Sequence, residues 1–183
     1  MTIKVGATVD DLYRVPRDVK AELVRGELVV MSPTGDWPGS AAGAIYASLR
    51  DHARRTRAGR AYGDNVGFLV DLPNRQSFSP DAAFHTGPRT GMKFLAGAPV
   101  LAVEVRSEGD YGPAPERAIV AKRADYFAAG TLVVWDVDLL APDVVRVYRA
   151  REPDRPTTYR RGEIAEAEPA VPGWTLPVDE LFE

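Results

Sequence analysis

Val100-Leu101-Ala102-Val103-Glu104-Val105 is the stretch that decides the fold, because it reads as a buried strand and yet holds one carboxylate. A second run of this kind, Ser79-Pro80-Asp81-Ala82-Ala83-Phe84, comes before it and also holds a single acid. Burying a carboxylate in an apolar strand costs on the order of several kcal/mol unless a partner compensates for its charge. Two carboxylates at neighbouring strand ends suit a hard metal such as Mg²⁺. Asp81 and Glu104 are therefore our candidate metal ligands.

Cationic side chains follow Glu104 along the chain and complete the candidate site. Arg106 and Lys122 are the two candidates, and with the acidic pair they suggest metal-assisted hydrolysis of phosphodiester bonds. Two simpler interpretations stay open. Asp81 follows a proline and could merely cap a turn at a strand end. Glu104 could be a buried acid that pairs with Arg106 or Arg123.

Composition excludes several other classes of protein. Among the 183 residues, 23 Lys and Arg face 26 Asp and Glu, so the net charge is −3 and any contact with nucleic acid must depend on a local patch. The absence of cysteine excludes disulfides and thiolate metal sites, and two histidines argue against a His-rich zinc site. No apolar run is long enough to span a membrane, and no signal-peptide pattern opens the chain, so we expect a cytoplasmic protein.

Two further groups of side chains could contact nucleic acid. A set of arginines closes the predicted second helix and could grip phosphates, although cations also favour helix C-termini for their own sake. These arginines are Arg50, Arg54, Arg55, Arg57 and Arg60. Trp37 and Tyr111 lie in predicted loops and could stack on a base, although such residues more often anchor a loop by burial.

The hydrophobic pattern predicts one mixed α/β domain over residues 1–183, with a mixed central sheet flanked by helices and an N-terminal hairpin. The predicted helices are 8–18, 40–58, 116–129 and a short one at 179–182. The hairpin is 22–31, and the other strands are 66–72, 78–85, 99–106, 131–138 and 143–149. Loops are predicted at 32–39, 107–115 and 151–161.

The joint order of these segments resembles the PD-(D/E)XK nuclease superfamily, and in particular the Uma family of bacterial restriction endonucleases. The resemblance spans nearly the whole chain. Its motifs are Glu22-Leu23-Val24-Arg25-Gly26-Glu27-Leu28, Pro80-Asp81-Ala82-Ala83-Phe84, Val103-Glu104-Val105-Arg106-Ser107, Lys122-Arg123-Ala124-Asp125-Tyr126-Phe127, Trp135-Asp136-Val137-Asp138 and the tail from Pro172-Gly173-Trp174 to Leu181-Phe182.

The resemblance implies a restriction-endonuclease-like core and an Mg²⁺- or Mn²⁺-dependent endonuclease that hydrolyses DNA. Asp81 would be the Asp of the PD element and Glu104 the acid of the (D/E)XK element, with the Val105 carbonyl as a third metal oxygen. Arg106 stands where the superfamily has lysine, and Lys122 on the next helix is the expected substitute. Arg106 is the weaker candidate for a base because a guanidinium stays protonated near neutral pH.

Two departures from the family pattern keep alternatives open. Trp37-Pro38-Gly39-Ser40 stands where the family often has a histidine, and Ala118 stands where it often has an aspartate. A nuclease fold that binds nucleic acid or a protein without cutting is one alternative, and a structural homodimer that pairs through a sheet edge at 143–149 is another. A homodimer also suits cleavage of two antiparallel strands, which calls for two sites related by a twofold axis.

Overall fold

Two main β-sheets, a two-stranded sheet of β12 and β13, and three α-helices form the described part of the chain, which in this computed structural model comprises residues 6–16 and 19–183. The helices are α1 (Val9–Tyr13), α2 (Asp36–Thr56) and α3 (Pro113–Ala128), and a 3-10 helix covers Val178–Phe182. The strands are β1 (Lys20–Val24), β2 (Glu27–Met31), β3 (Arg60–Tyr62), β4 (Phe68–Leu72), β5 (Arg75–Phe78), β6 (Ala82–His85), β7 (Leu95–Ala96), β8 (Leu101–Val105), β9 (Val133–Val137), β10 (Val145–Arg149), β11 (Glu152–Tyr159), β12 (Ile164–Glu166) and β13 (Thr175–Pro177).

The larger sheet has six strands in the order β11-β10-β9-β8-β6-β3. Only β8 and β9 run parallel within it, and α3 is the crossover that such a pair needs. Glu104 lies opposite Asp136 in this parallel register. On the other side of β8, the Asp81 N–H donates to the Val103 carbonyl at 3.0 Å, which fixes Asp81 beside the end of β8.

The smaller sheet has five strands in the order β2-β1-β5-β4-β7 and contains the N-terminal hairpin. Arg25 and Gly26 form the two-residue turn with φ values of 52° and 71°. Positive φ at both turn positions matches the right-handed twist of the flanking strands, and glycine adopts it without steric cost. The predicted hairpin is therefore confirmed, and it presents Lys20 and Glu22 from alternate positions of β1.

The two faces of β8 pack against different parts of the molecule, because successive strand residues point to opposite sides. Leu101, Val103 and Val105 belong to the large core formed with α2, Trp135 and the C-terminal segment. Ala102 belongs to a smaller core with Tyr126 of α3 and two phenylalanines of the smaller sheet. Glu104 shares the face of Ala102 and so lies between the larger sheet and α3.

The predicted mixed α/β class is confirmed, but several element boundaries were wrong. The predicted strand 78–85 is two strands, β5 and β6, with Asp81 in the bend between them. Helix α2 begins at Asp36, so the predicted loop 32–39 is half helical and Trp37 lies in the first turn of α2. Helix α1 has its Thr8 capping box but ends at Tyr13, and residues 17–18 of that prediction lie outside the described residues.

The prediction of a loop at 151–161 was wrong, because β11 occupies most of it. This segment is polar and holds two prolines, which a strand tolerates at a sheet edge where one side needs no partner. Since β10 lies between β9 and β11, the segment 143–149 is not a sheet edge. A homodimer that pairs through this segment would therefore find no free strand there.

No helix in residues 6–16 and 19–183 is long and apolar enough to cross a membrane.

Candidate active site

Asp81 is held at the sheet end by groups from two strands, β1 and β8. Its Oδ2 accepts a hydrogen bond from the Val105 N–H at 2.8 Å, so this carboxylate lies against the backbone that follows Glu104. Its Oδ1 accepts one from Lys20 Nζ at 2.9 Å. The same ammonium reaches Asp64 Oδ1 at 2.5 Å and so bridges two carboxylates. Asp81 is therefore a fixed, partly buried anion with an ammonium partner.

Glu104 is held by two side chains of α3. Tyr126 donates its hydroxyl to Glu104 Oε1 at 2.6 Å, and Lys122 Nζ donates to Oε2 at 2.9 Å. Lys122 and Tyr126 are four residues apart, so they lie one above the other on the same face of the helix. The Glu104 side chain is 26 % exposed, which leaves it open to solvent on one side.

Behind this pair lies a third carboxylate, Glu22 of β1, whose side chain is 5 % exposed. Its Oε1 lies 3.0 Å from Lys122 Nζ and accepts the Ser79 N–H at 2.8 Å. Its Oε2 accepts a hydrogen bond from Arg75 at 2.6 Å, and Arg75 continues to Asp125 at 2.9 Å. Lys122 is thus shared by Glu104 and Glu22.

The electrostatic balance differs from group to group. Burial raises the pKa of Glu104 to about 6; the Lys122 ammonium opposes this rise, and the carboxylates of Asp81 and Glu22 add to it. Burial alone would lower the pKa of Lys122, but Glu104 and Glu22 raise it above its ordinary value. The pKa of Lys20 is also raised, because Asp81 and Asp64 outweigh its burial. Both ammonium groups therefore stay protonated at neutral pH, while Glu104 titrates close to neutrality.

Arg106 is placed apart from this group. Its guanidinium binds Asp136 through two hydrogen bonds of 2.7 and 2.8 Å and also contacts Glu116 of α3. Within the described residues, no hydrogen bond or ion pair joins Arg106 to Asp81 or Glu104. The alternative pairing of Glu104 with Arg106 is thus replaced by the pairing with Lys122.

The donor set of the site fits a hard divalent cation. Asp81 and Glu104 offer carboxylate oxygens, and each carboxylate has about four lone-pair sites, so both retain acceptor capacity beyond the bonds described. No cluster of three or more His, Cys, Asp and Glu side chains suited to a metal occurs in the part of the chain that the structure describes. Mg²⁺ keeps several waters and is commonly bound through one or two carboxylates, so a pair of acids is sufficient.

Sequence reasoning singled out Asp81, Glu104 and Lys122, which the structure brings together, but it missed the roles of Lys20, Glu22 and Tyr126. Two patterns could have revealed them. Lys20 and Glu22 are polar residues at alternate positions of an otherwise apolar strand, so they share one face. Tyr126 follows Lys122 by one helical turn, so it shares a helix face with that lysine, and it is buried.

Comparison with known proteins agrees with this architecture. A family model described as "Uma2: Putative restriction endonuclease" matches residues 9–179. The crystal structure of "a putative nuclease belonging to DUF820" from Anabaena variabilis matches with a TM-score of 0.74 and 16% sequence identity, over 96% of this chain and 97% of that chain. At this identity the match shows a shared fold. No curated protein matches the chain.

Proposed function

Because the chain belongs to the Uma2 family, we propose that it is a divalent-metal-dependent endonuclease that hydrolyses DNA phosphodiester bonds at Asp81 and Glu104. The observation that supports this most is the position of the acidic pair: Asp81 Oδ2 accepts a hydrogen bond at 2.8 Å from the N–H of Val105, the residue after Glu104. Burial also raises the pKa of Glu104 to about 6 although an ammonium lies 2.9 Å away, and Asp81 and Glu22 add to the rise. A site with an excess of buried carboxylate attracts a further cation.

Asp81 and Glu104 would hold Mg²⁺ or Mn²⁺, with the Val105 carbonyl as a further oxygen. When bound, such an ion polarises a phosphate and lowers the pKa of a coordinated water. Lys20 restrains Asp81, and Tyr126 restrains Glu104, so both carboxylates are preorganised by groups from other elements. Preorganised ligands cost no rearrangement when the cation arrives.

Lys122 serves as an electrostatic stabiliser in this mechanism. Because its pKa is raised, the ammonium holds its proton at neutral pH and cannot act as a general base. A fixed positive charge beside Glu104 instead favours the negative charge that develops on the phosphate during attack. The contact of Arg106 with Asp136 and Glu116 leaves it a structural part of the fold rather than a partner of the phosphate.

The proposal is tested by cleavage of supercoiled plasmid with Mg²⁺ or Mn²⁺. We expect wild type to nick or linearise the plasmid, and Asp81→Asn and Glu104→Gln to fall to background. Asp154→Asn, an exposed carboxylate on β11, is the matched control and should cleave like wild type. Unchanged cleavage in either site variant would show that the acidic pair is not the catalytic centre.

One observation favours the alternative of a nuclease fold that binds DNA without cutting it. Each acid of the pair already has an ammonium partner, Lys20 for Asp81 and Lys122 for Glu104. A site that neutralises itself in this way could retain its shape without a metal. Thermal unfolding with and without Mn²⁺ separates the two: the endonuclease gains stability with the ion, and the inactive binder does not.

Cleavage of both strands of a duplex would need two copies of the site. We therefore expect a homodimer related by a twofold axis when the substrate is duplex DNA. Sedimentation of the protein with and without a short duplex, in the absence of divalent metal, measures this directly. A strict monomer on DNA would argue for cleavage of one strand at a time.

A further inference from the structure

Trp37 is the one tryptophan of the chain that is exposed. Its exposed fraction is 63%, whereas Trp135 and Trp174 are 0% and 2% exposed and pack against each other in the large core. The expectation that Trp37 anchors a loop by burial is therefore wrong. A large aromatic surface left in water forgoes the stabilisation that burial would give it, so its exposure suggests a role in binding.

The segment that leads to Trp37 runs along the edge of the candidate site. Met31 at its start pairs with Lys20, the residue that holds Asp81. Thr34 further on has its hydroxyl 3.4 Å from that of Ser107, three residues after Glu104.

Trp37 lies three residues beyond Thr34, so their Cα atoms are separated by at most about 11 Å. The first turn of α2, which carries the indole, therefore begins close to the chain that follows Glu104. Such a position suits a side chain that contacts the substrate without touching the reacting phosphate.

Charge near the site offers little attraction for nucleic acid. The chain carries a net charge of −3, and both Lys20 and Lys122 are bound to carboxylates. Arg50, Arg54 and Arg55 in the second half of α2 lie about 20 to 27 Å from Trp37, since the helix rises about 1.5 Å per residue. A contact that does not depend on charge would therefore add affinity beside the acidic pair.

We propose that Trp37 stacks on an unpaired DNA base beside the cleaved phosphate, so that the preferred substrate is single-stranded or locally unpaired DNA. A base within a duplex has both faces covered by its neighbours, and only an unpaired one offers a free face to the indole. Stacking on an aromatic residue strengthens binding about 5- to 150-fold per base. The inference rests on the proposed endonuclease function for the identity of the substrate.

Fluorescence tests this inference in the intact protein without any metal. Because Trp135 and Trp174 are buried, quenching of the solvent-exposed emission reports on Trp37. We would titrate wild type in EDTA with an unlabelled 15-nucleotide oligothymidine and, separately, with a blunt 15-base-pair duplex. Anisotropy of the labelled oligonucleotides would then compare wild type with Trp37→Ala and Trp37→Phe. Met92→Ala is the control, because it removes a fully exposed apolar side chain from the loop before β7, at the other edge of the smaller sheet from β2.

The stacking proposal is supported if the single strand quenches the fluorescence and Trp37→Ala binds the single strand at least fivefold more weakly than wild type. Trp37→Phe should then recover part of this affinity, and Met92→Ala should bind like wild type. Equal single-strand binding by wild type and Trp37→Ala would overturn it. Plasmid cleavage that still requires Asp81 and Glu104 would then leave the endonuclease proposal standing alone. Conversely, stacking without any metal-dependent cleavage would support the stacking proposal and overturn the catalytic proposal.

Discussion

Glu104 and Arg106 lie two residues apart at the end of β8 and have opposite electrostatic surroundings. Arg106 is matched by carboxylates: it binds Asp136 through two hydrogen bonds and holds the pKa of Glu116 below its ordinary value. Glu104 is not matched in the same way, since burial raises its pKa to about 6 and its ammonium partner is shared with Glu22. The charge of Arg106 is paired by its carboxylate partners, whereas the surroundings of Glu104 still favour a further positive charge.

The geometry of the two cations explains this difference. A guanidinium presents a planar fork that pairs with both oxygens of a carboxylate, and Arg106 does so with Asp136. The Lys122 ammonium is a single point of charge that must serve two carboxylates at 2.9 and 3.0 Å. The arginine cluster therefore suits the attachment of α3 to the sheet, and the lysine cluster suits ion binding. This comparison predicts that stability and metal binding can be separated by mutation.

Arg106→Ala is expected to give the largest effect on stability. It leaves Asp136, which is 3% exposed, without its main partner, and breaking a buried ion pair costs about 3–5 kcal/mol of the free energy of unfolding. Urea unfolding followed by circular dichroism measures the loss. The control is Arg160→Ala, which removes an exposed pair with Asp143 and should change stability little.

The same variant also tests whether the two clusters are independent. Arg106→Ala should retain the stabilisation by Mn²⁺ at temperatures where it is folded, because the acidic pair is untouched. If the response to Mn²⁺ disappears together with the stability, the clusters act as one unit and the comparison fails.

Lys122→Met is expected to slow cleavage strongly, although less than Asp81→Asn or Glu104→Gln, and to keep a near-native fold. Loss of one fixed positive group that stabilises developing charge typically lowers the rate about 10²- to 10³-fold. Single-turnover cleavage of a labelled substrate measures it, with Lys93→Met as the matched control on an exposed lysine. Lys122→Arg should recover part of the rate, because it keeps the charge. Full activity in Lys122→Met would remove this residue from the mechanism.

Tyr126→Phe sharpens the comparison by removing one hydrogen bond from Glu104 and nothing else. The ring is fixed by stacking on Phe78 at 3.9 Å between centroids, so phenylalanine should occupy the same place. Hydrogen bonds to charged groups contribute about 1.5–3 kcal/mol, and we expect a loss of stability at the lower end because Glu104 keeps Lys122. Urea unfolding at pH 7 checks this. An unchanged free energy of unfolding would mean that solvent replaces the hydroxyl at no cost.

Local patterns predicted the parts of the fold that form through local contacts. The hairpin at 22–31 follows from its turn residues, β8 follows from its short apolar run, and the end of α3 follows from Gly130. Strands β3, β7, β11, β12 and β13 were missed, because four of them are only two or three residues long and β11 is a polar edge. Each of these owes its strand conformation to its partner strand rather than to its own sequence.

Some residues of the candidate site were likewise predictable from local sequence, and others were not. Asp81 and Glu104 could be singled out because an acid inside an apolar run is conspicuous in the sequence itself. The bond from Lys20 to Asp81 could not, since it joins residues 61 positions apart and depends on how the two sheets meet. The exposure of Trp37 was likewise not predictable, because it depends on α2 beginning four residues earlier than periodicity indicated.

The affinity for Mn²⁺ should depend on pH, and this is the smallest expected effect. Glu104 must be ionised to bind a cation, and its pKa is about 6, so the ionised fraction falls from about nine-tenths at pH 7 to about one-tenth at pH 5. The sign follows from the raised pKa. Because the folded state favours the protonated form of Glu104, the contribution of Glu104 to folding stability falls as the pH rises from the ordinary pKa range of a glutamate through 6. The affinity for the metal increases over the same interval. Calorimetric titration with Mn²⁺ should therefore give roughly tenfold weaker binding at pH 5 than at pH 7. Glu104→Gln should bind Mn²⁺ weakly at both pH 5 and pH 7. If the affinity of wild type does not change across pH 6, Glu104 is not a ligand.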